Sequence, residues 1–218
     1  MTAAATRELE YWSPEPLFKG ETIFCLASGP SLTAEICQRV RGHRTIAVNS
    51  SAVLAPFADV LFFTDSGWYE ERRQLVANWA GLVISMSRTA KRELPDKVKR
   101  VKGEGDPQAL PGFSRGSHVI QQGRSSGHTA VSLAIALGAS RVVLLGYDMR
   151  FVGGREHCHD EYNGPRDVDI YSREFLPGFA GWDEAARAVG VEIVNATEGS
   201  ALKEFPCVSL DEVLKRKF

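Results

Sequence analysis

Ile23-Phe24-Cys25-Leu26-Ala27-Ser28-Gly29-Pro30-Ser31-Leu32 decides how this chain is read. Its apolar run is short and bounded by small residues, the pattern of a strand buried on both faces. The run passes directly into Ser-Gly-Pro-Ser, a turn whose backbone N–H groups carry little side chain in front of them, and then into a helical pattern over residues 32–41. Such a junction aims unpaired N–H groups at whatever lies beyond the strand end, which is the chemistry of an anion site. Ser31 is also expected to cap the helix. Ser28, Gly29, Pro30 and Ser31 are therefore the first candidates for a phosphate contact. The turn is neither a Walker loop, since no Gly-Lys-Ser/Thr follows, nor a Gly-x-Gly-x-x-Gly fingerprint.

Outward from this junction the same alternation repeats. Strands are expected at residues 45–49, 60–65, 82–85, 141–146 and 191–195. Helices are expected at 68–79, 126–136 (closed by Gly138), 175–189 with a break at Pro177 and Gly178, and 210–216. Strands alternating with helices predict an α/β, Rossmann-like fold with a mainly parallel sheet and helices on both faces. Residues 1–20, with Pro14, Pro16 and the pair Tyr11-Trp12, read as an irregular arm. Residues 21–218 read as one nucleotide-binding domain with two irregular excursions, near 93–124 and 151–170. The first is expected to lie over a site and to hold a short strand pair.

Composition narrows the function classes. With 218 residues, 44% hydrophobic and 24% charged, the chain has the make-up of an ordinary soluble globular protein. A net charge of -1 without long charged runs argues against nucleic-acid binding through bulk charge. No apolar stretch reaches the length of a membrane span, and the N-terminus lacks a secretory pattern. The four cysteines, Cys25, Cys37, Cys158 and Cys207, show no CxxC pairing and read as reduced thiols of a cytoplasmic protein. Homo-oligomerisation stays open.

In an open parallel sheet, ligands bind beyond the carboxyl ends of the strands. Polar residues finish nearly every apolar strand here: Asn49 and Ser50, Asp65 and Ser66, Tyr147 and Asp148, and Asn195. Asn49 suits a base, ribose or sugar hydroxyl, or a turn. Asp65 and Asp148 suit a ribose hydroxyl or Mg²⁺ beside a diphosphate, and also helix caps. Ser125-Ser126-Gly127-His128 is a second anion-friendly helix start. In His157-Cys158-His159-Asp160, His-x-His with one cysteine has no second ligand cluster, so no metal site is assigned. His157 or His159 on such a loop suits a general base. Arg150, Arg155 and Arg166 are nearby candidates for phosphate oxygens.

The order Ser-Gly-Pro-Ser-Leu, Val-Asn-Ser, Phe-Thr-Asp, Ser-Ser-Gly-His-Thr-Ala and Leu-Leu-Gly-Tyr-Asp-Met resembles the MptE-like family, named for an archaeal 6-hydroxymethylpterin diphosphokinase. That family includes many proteins of bacteria and tailed phages, and residues 194–206 are similar to its usual close. The same order resembles the small bacterial sialyltransferases that use CMP-sialic acid. The two likenesses span roughly residues 21–212. They imply that Gly29, Pro30 and Ser31 hold a nucleotide phosphate and that Asn49 meets the base or sugar. They further imply that Ser126 and Gly127 face the diphosphate or donor sugar, that Asp148 meets the ribose or a metal, and that His157 or His159 is the base. The tyrosine pair that helps the phosphate leave in those sialyltransferases is not evident; Tyr147, Tyr162 and Tyr171 are loose candidates. The activity expected first is a nucleotide-sugar-dependent transferase. A Mg²⁺- and ATP-dependent diphosphotransferase comes second, and a non-catalytic nucleotide binder or phage factor acting on a host component third.

Overall fold

The computed structural model describes residues 11–86, 94–105, 113, 119–159, 167 and 169–215. The opening apolar run forms β1 (Thr22–Leu26), followed by β2 (Arg44–Val48), β3 (Val60–Phe63), β4 (Leu82–Ser85) and β5 (Val98–Arg100). Next come β6 (Lys102–Glu104), β7 (Val119–Gln121), β8 (Arg141–Leu145) and β9 (Glu192–Asn195). Seven of these make one sheet in the order β5-β4-β3-β2-β1-β8-β9, with β6 and β7 paired separately. Every one of these pairings is parallel. The fold is α/β and Rossmann-like, as the alternation predicts.

The helices are α1 (Ala34–Arg39), α2 (Ser51–Leu54), α3 (Ser66–Glu71), α4 (Arg73–Asn78), α5 (Ser126–Ala136), α6 (Trp182–Ala188) and α7 (Leu210–Lys215). The pleat of β1 sorts them into two layers. Phe24 and Leu26 face one core with residues of α1, α2, α3, α4 and α7, whereas Ile23 and Cys25 face the other with residues of α5 and α6. From Gly127 to Ala136, α5 is buried all round, which its Gly, Ala, Ser and Thr residues permit by letting neighbours approach closely.

Several boundaries differ from the sequence reading. The helix at 32–41 starts later, and its cap is Thr33, whose Oγ1 accepts from Ile36 N–H at 3.2 Å, not Ser31. The helix at 68–79 is two helices, broken at Arg72 (φ -117°, ψ 19°), and the first begins at Ser66 because Asp65 caps it. The helix at 175–189 is a π-helical turn Tyr171–Phe175, a 3₁₀ turn Pro177–Phe179, and α6. Pro177 has no N–H to continue a helix, and Gly181 (φ 77°) turns the chain in the left-handed region before α6 starts. The 93–124 excursion supplies β5, an unforeseen edge strand of the main sheet, besides the expected short pair β6–β7. Residues 93, 106–112 and 114–118 of that excursion lie outside the described residues, as do Tyr162, Arg166 and the start of the N-terminal arm. Residues 11–20 are tied down: Trp12 N–H donates to Arg100 O at 2.7 Å and Phe18 N–H to Leu137 O at 2.9 Å. Among the described residues, no helix is long and apolar enough to cross a membrane.

Candidate functional site

β1 lies between β2 and β8, so the sheet order reverses between β1 and β8. This is the point where open α/β sheets form a ligand crevice. Here the crevice is bridged by the protein itself. Ala27 N–H donates to Leu145 O and Gly29 N–H to Gly146 O, each at 2.9 Å, continuing the β1–β8 ladder past the strand ends. Leu32 N–H then donates to Gly29 O at 3.0 Å, which closes a turn with Pro30 at its second position. Ser31 donates from its N–H (3.3 Å) and its Oγ (2.9 Å) to Asp148 Oδ2. An anion does sit on the turn, and it is the carboxylate of Asp148.

Asp148 is 2% exposed, and its Oδ1 is buried with no hydrogen-bond partner. Burial pushes its carboxyl above the usual carboxylate range, against the lowering effect of the Ser31 bonds and the Arg150 charge. Gly29 is a glycine for a local reason: a Cβ there would lie 2.2 Å from both Asp148 Oδ2 and Gly146 O. Removing the hydroxyl in Ser31→Ala is expected to cost about 1–3 kcal/mol, because it strips the best partner from a buried carboxylate. Urea unfolding measures the cost, and a ¹³C titration of the Asp148 carboxyl should show its pKa rise further.

The open site lies to one side of this junction. A cleft of about 1290 Å³ runs along the carboxyl ends of the strands, lined among others by Ser28, Asn49, Asp65, Ser126, His157 and His159. Of the candidates read from the sequence, these six and the adjacent Ser50, Ser66 and Ser125 line it, whereas Gly29, Pro30, Ser31, Gly127, His128 and Asp148 do not. Ser31 instead faces a smaller cavity of about 530 Å³ beside Thr197–Ser200. In the cleft, Ser28 Oγ donates to Val48 O at 3.1 Å and ties the ends of β1 and β2 together. Asn49 takes a left-handed φ of 51°; its Nδ2 donates to Ser126 Oγ at 3.3 Å, and its Oδ1 is buried without a partner. Thr64 Oγ1 and Ser126 Oγ share a hydrogen bond at 2.6 Å. Asp65 caps α3 by accepting from Trp68 N–H at 2.7 Å. Trp68 is fixed in turn, its Nε1–H donating to Ser50 Oγ at 2.9 Å and its ring resting 5.3 Å from that of Phe63.

The start of α5 divides between the cleft and the core. Ser126 faces the cleft, but Gly127 packs on buried Tyr147, whose hydroxyl donates to Gly127 O at 3.0 Å. His128 is fully buried and stacked on Phe179, with ring centroids 3.6 Å apart. Its Nε2 lies 3.1 Å from Phe175 O, which can only accept, so Nε2 carries the proton. Nδ1, at 2.8 Å, then accepts from the Ser125 hydroxyl, while that same oxygen caps α5 at His128 N–H. Burial lowers the imidazole pKa to about 3, the Phe175 carbonyl opposes the shift, and the Arg124 charge adds to it. The structure places His128 in the core and outside the cleft: Nε2 ties α5 to the π-helical turn through Phe175 O, and Nδ1 is held by Ser125 at the start of α5 itself.

The loop histidines come from a segment docked on the β1 turn, where Cys158 N–H donates to Ser28 O at 2.9 Å. The rings of His157 and His159 stack in parallel, 5.3 Å between centroids. Arg150 turns away, its Nε donating to Gly199 O at 2.7 Å. Asp65 and Asp148 end strands β3 and β8, three strand spacings or about 14 Å apart, and only Asp65 faces the cleft. The two carboxylates do not converge on one ion. Among the described residues no group of three or more His, Cys, Asp or Glu could hold a metal.

Sequence reasoning missed Thr64, Trp68, Phe175, Arg100 and Arg124 as cleft residues. Thr64 obeys the same strand-end rule as its neighbour Asp65 and was open to being found. Thr197 and Ser200 were missed as supports: Thr197 Oγ1 accepts from Tyr147 N–H at 3.0 Å and Ser200 Oγ donates to Tyr147 O at 2.6 Å, locking the end of β8. No protein-family model matches the chain, and no curated protein sequence is significantly similar to it.

Proposed function

We propose that this chain is a nucleotide-dependent transferase of the glycosyltransferase type, taking a nucleotide sugar in the cleft along the strand ends. The observation that carries the reading is the joint lining of one cleft by the loop imidazoles, His157 and His159, and by the hydroxyl and amide cluster Asn49, Thr64 and Ser126. The cluster offers hydroxyl and amide groups to sugar or base hydroxyls and amines. One imidazole takes the proton of an acceptor hydroxyl. The freed oxygen attacks the anomeric carbon, the bond from that carbon to the phosphate oxygen breaks, and the nucleotide leaves as the anion. The resemblance of the strand-end motifs to the MptE-like family and to the small sialyltransferases adds the nucleotide to this picture. The separation of Asp65 from Asp148 leaves the Mg²⁺- and ATP-dependent alternative without a supporting observation.

Turnover of a panel of CMP-, UDP- and GDP-sugars, followed by nucleotide release, tests the proposal. Release is expected for one nucleotide class, and His157→Ala combined with His159→Ala should lower it by roughly 10²–10⁴-fold. Undiminished release in the double variant would remove the base assignment. Binding of a nucleotide without any turnover would favour the non-catalytic binder.

A further inference from the structure

We propose that Arg100 and Arg124, together with Arg72, form an anion subsite in the cleft that holds the phosphate of a ligand, in place of the β1 turn. All three are half-buried and line the cleft, and they come from separate places in the fold: the end of β5, the residue before the α5 cap, and the α3–α4 break. Arg100 and Arg124 have no acidic partner within ion-pair distance among the described residues. A half-buried guanidinium without a carboxylate has lost hydration and gained nothing in exchange. A phosphate, met by the planar fork of donors, restores the balance. The remaining charges on the cleft wall are Lys102, which pairs with Glu104, and the carboxylates of Asp65 and Glu71. The wall therefore carries more cations than carboxylates in a chain whose net charge is -1.

Two further facts point the same way. Arg124 is anchored by its stem, since a Cβ on Gly178 would lie 2.9 Å from Arg124 Cγ. It directly precedes Ser125, so its charge adds to the positive end of the eleven-residue α5. The turn that the sequence marks for phosphate has meanwhile given its Ser31 donors to Asp148, and its Gly29, Pro30 and Ser31 lie outside the cleft. A phosphate entering the cleft meets the arginines and the start of α5.

Phosphate chemistry has two sources under the transferase reading, on which this inference rests only for the source: the nucleotide donor or a phosphorylated acceptor. Inorganic pyrophosphate is the probe, titrated calorimetrically into the full chain. Saturable binding that weakens with added salt is expected. Arg100→Gln and Arg124→Gln should each weaken it roughly ten- to a hundredfold with unchanged unfolding midpoints. Arg100→Lys and Arg124→Lys should recover part of the loss, and Ser31→Ala should bind as the wild type does. Absence of pyrophosphate binding, binding unchanged in both glutamine variants, or loss in Ser31→Ala alone overturns the subsite. A nucleoside diphosphate that displaces pyrophosphate identifies the donor phosphate, and one that binds alongside it identifies the acceptor's. Pyrophosphate binding with no binding of any nucleotide keeps the subsite and overturns the nucleotide reading.

Discussion

Gly29→Ala is expected to remove roughly 3–5 kcal/mol of folding stability and to lower the unfolding midpoint by about 10 °C. The added Cβ would lie 2.2 Å from the Gly146 carbonyl oxygen and from Asp148 Oδ2. Neither neighbour is the loose end of a flexible side chain. Gly146 is backbone, in the left-handed region at φ 73°, and a Cβ on Gly146 would itself meet Ala27 O at 2.5 Å. The two glycines are therefore a mutual close approach of the β1 and β8 ends. Separating them breaks the Gly29 N–H to Gly146 O bond and pulls Ser31 from Asp148, leaving a buried carboxylate with fewer partners. Gly153→Ala is the control: its φ of 56° carries backbone strain, but no atom lies within 4 Å of the new Cβ, so a loss near 1 kcal/mol is expected. Thermal and urea unfolding of both variants check the difference. An unchanged midpoint in Gly29→Ala, with loss of ligand binding alone, would return the turn to the role of an open phosphate cradle.

The second large effect is acid lability through His128. Its imidazole titrates near 6.5 when unfolded but is held to about 3 in the folded protein, chiefly by burial. Between those values the unfolded chain binds the proton and the folded chain does not, so stability falls as pH falls. The loss approaches 1.4 kcal/mol per pH unit, or about 3 kcal/mol by pH 4. Asp148 acts in the opposite sense, because its raised pKa favours the folded state at low pH, so the effect is best read as a difference between variants. His128→Phe keeps a ring to stack on Phe179 but cannot titrate. It is expected to be less stable than the wild type at pH 7, where the bond to Phe175 O is lost, and to close most of that gap by pH 4. Parallel pH profiles of the two proteins would show that His128 is not the linked group.

The strands were legible because they are buried on both faces: Phe24 and Ile23, or Leu61 and Phe62, are fully buried in opposite layers and leave near-continuous apolar runs. β5 was not, because Val98-Lys99-Arg100 has one buried residue and sits at an edge where polar side chains are tolerated. The break at Arg72 left no Pro or Gly in the sequence to announce it. At the site, the strand-end rule pointed to Asn49 and Asp65 because polar residues following apolar strands need little tertiary information, and the small-residue helix start pointed to Ser126. It assigned the Gly29–Ser31 turn to an outside anion because local sequence cannot show that Asp148, 117 positions later, closes the same crevice. His128 was misplaced for a related reason: helical phase alone did not reveal that Phe175 and Phe179 fold over its ring. Arg100 and Arg124 carry no local signal, since only the sheet order brings an edge strand and the start of α5 to one cleft.

Equilibrium titration of the full chain with CMP, UDP, GDP and their sugar conjugates, compared between wild type and an Asn49→Ala/Ser126→Val variant, tests the cleft assignment most directly. The wild type is expected to bind one nucleotide class saturably. The variant, stripped of the amide and hydroxyl that meet at the β2 and α5 ends, is expected to lose roughly ten- to a hundredfold in affinity while keeping its unfolding midpoint within a few degrees. Failure of every nucleotide to bind the wild type, or equal binding by the variant, would contradict the assignment of this cleft as the nucleotide site.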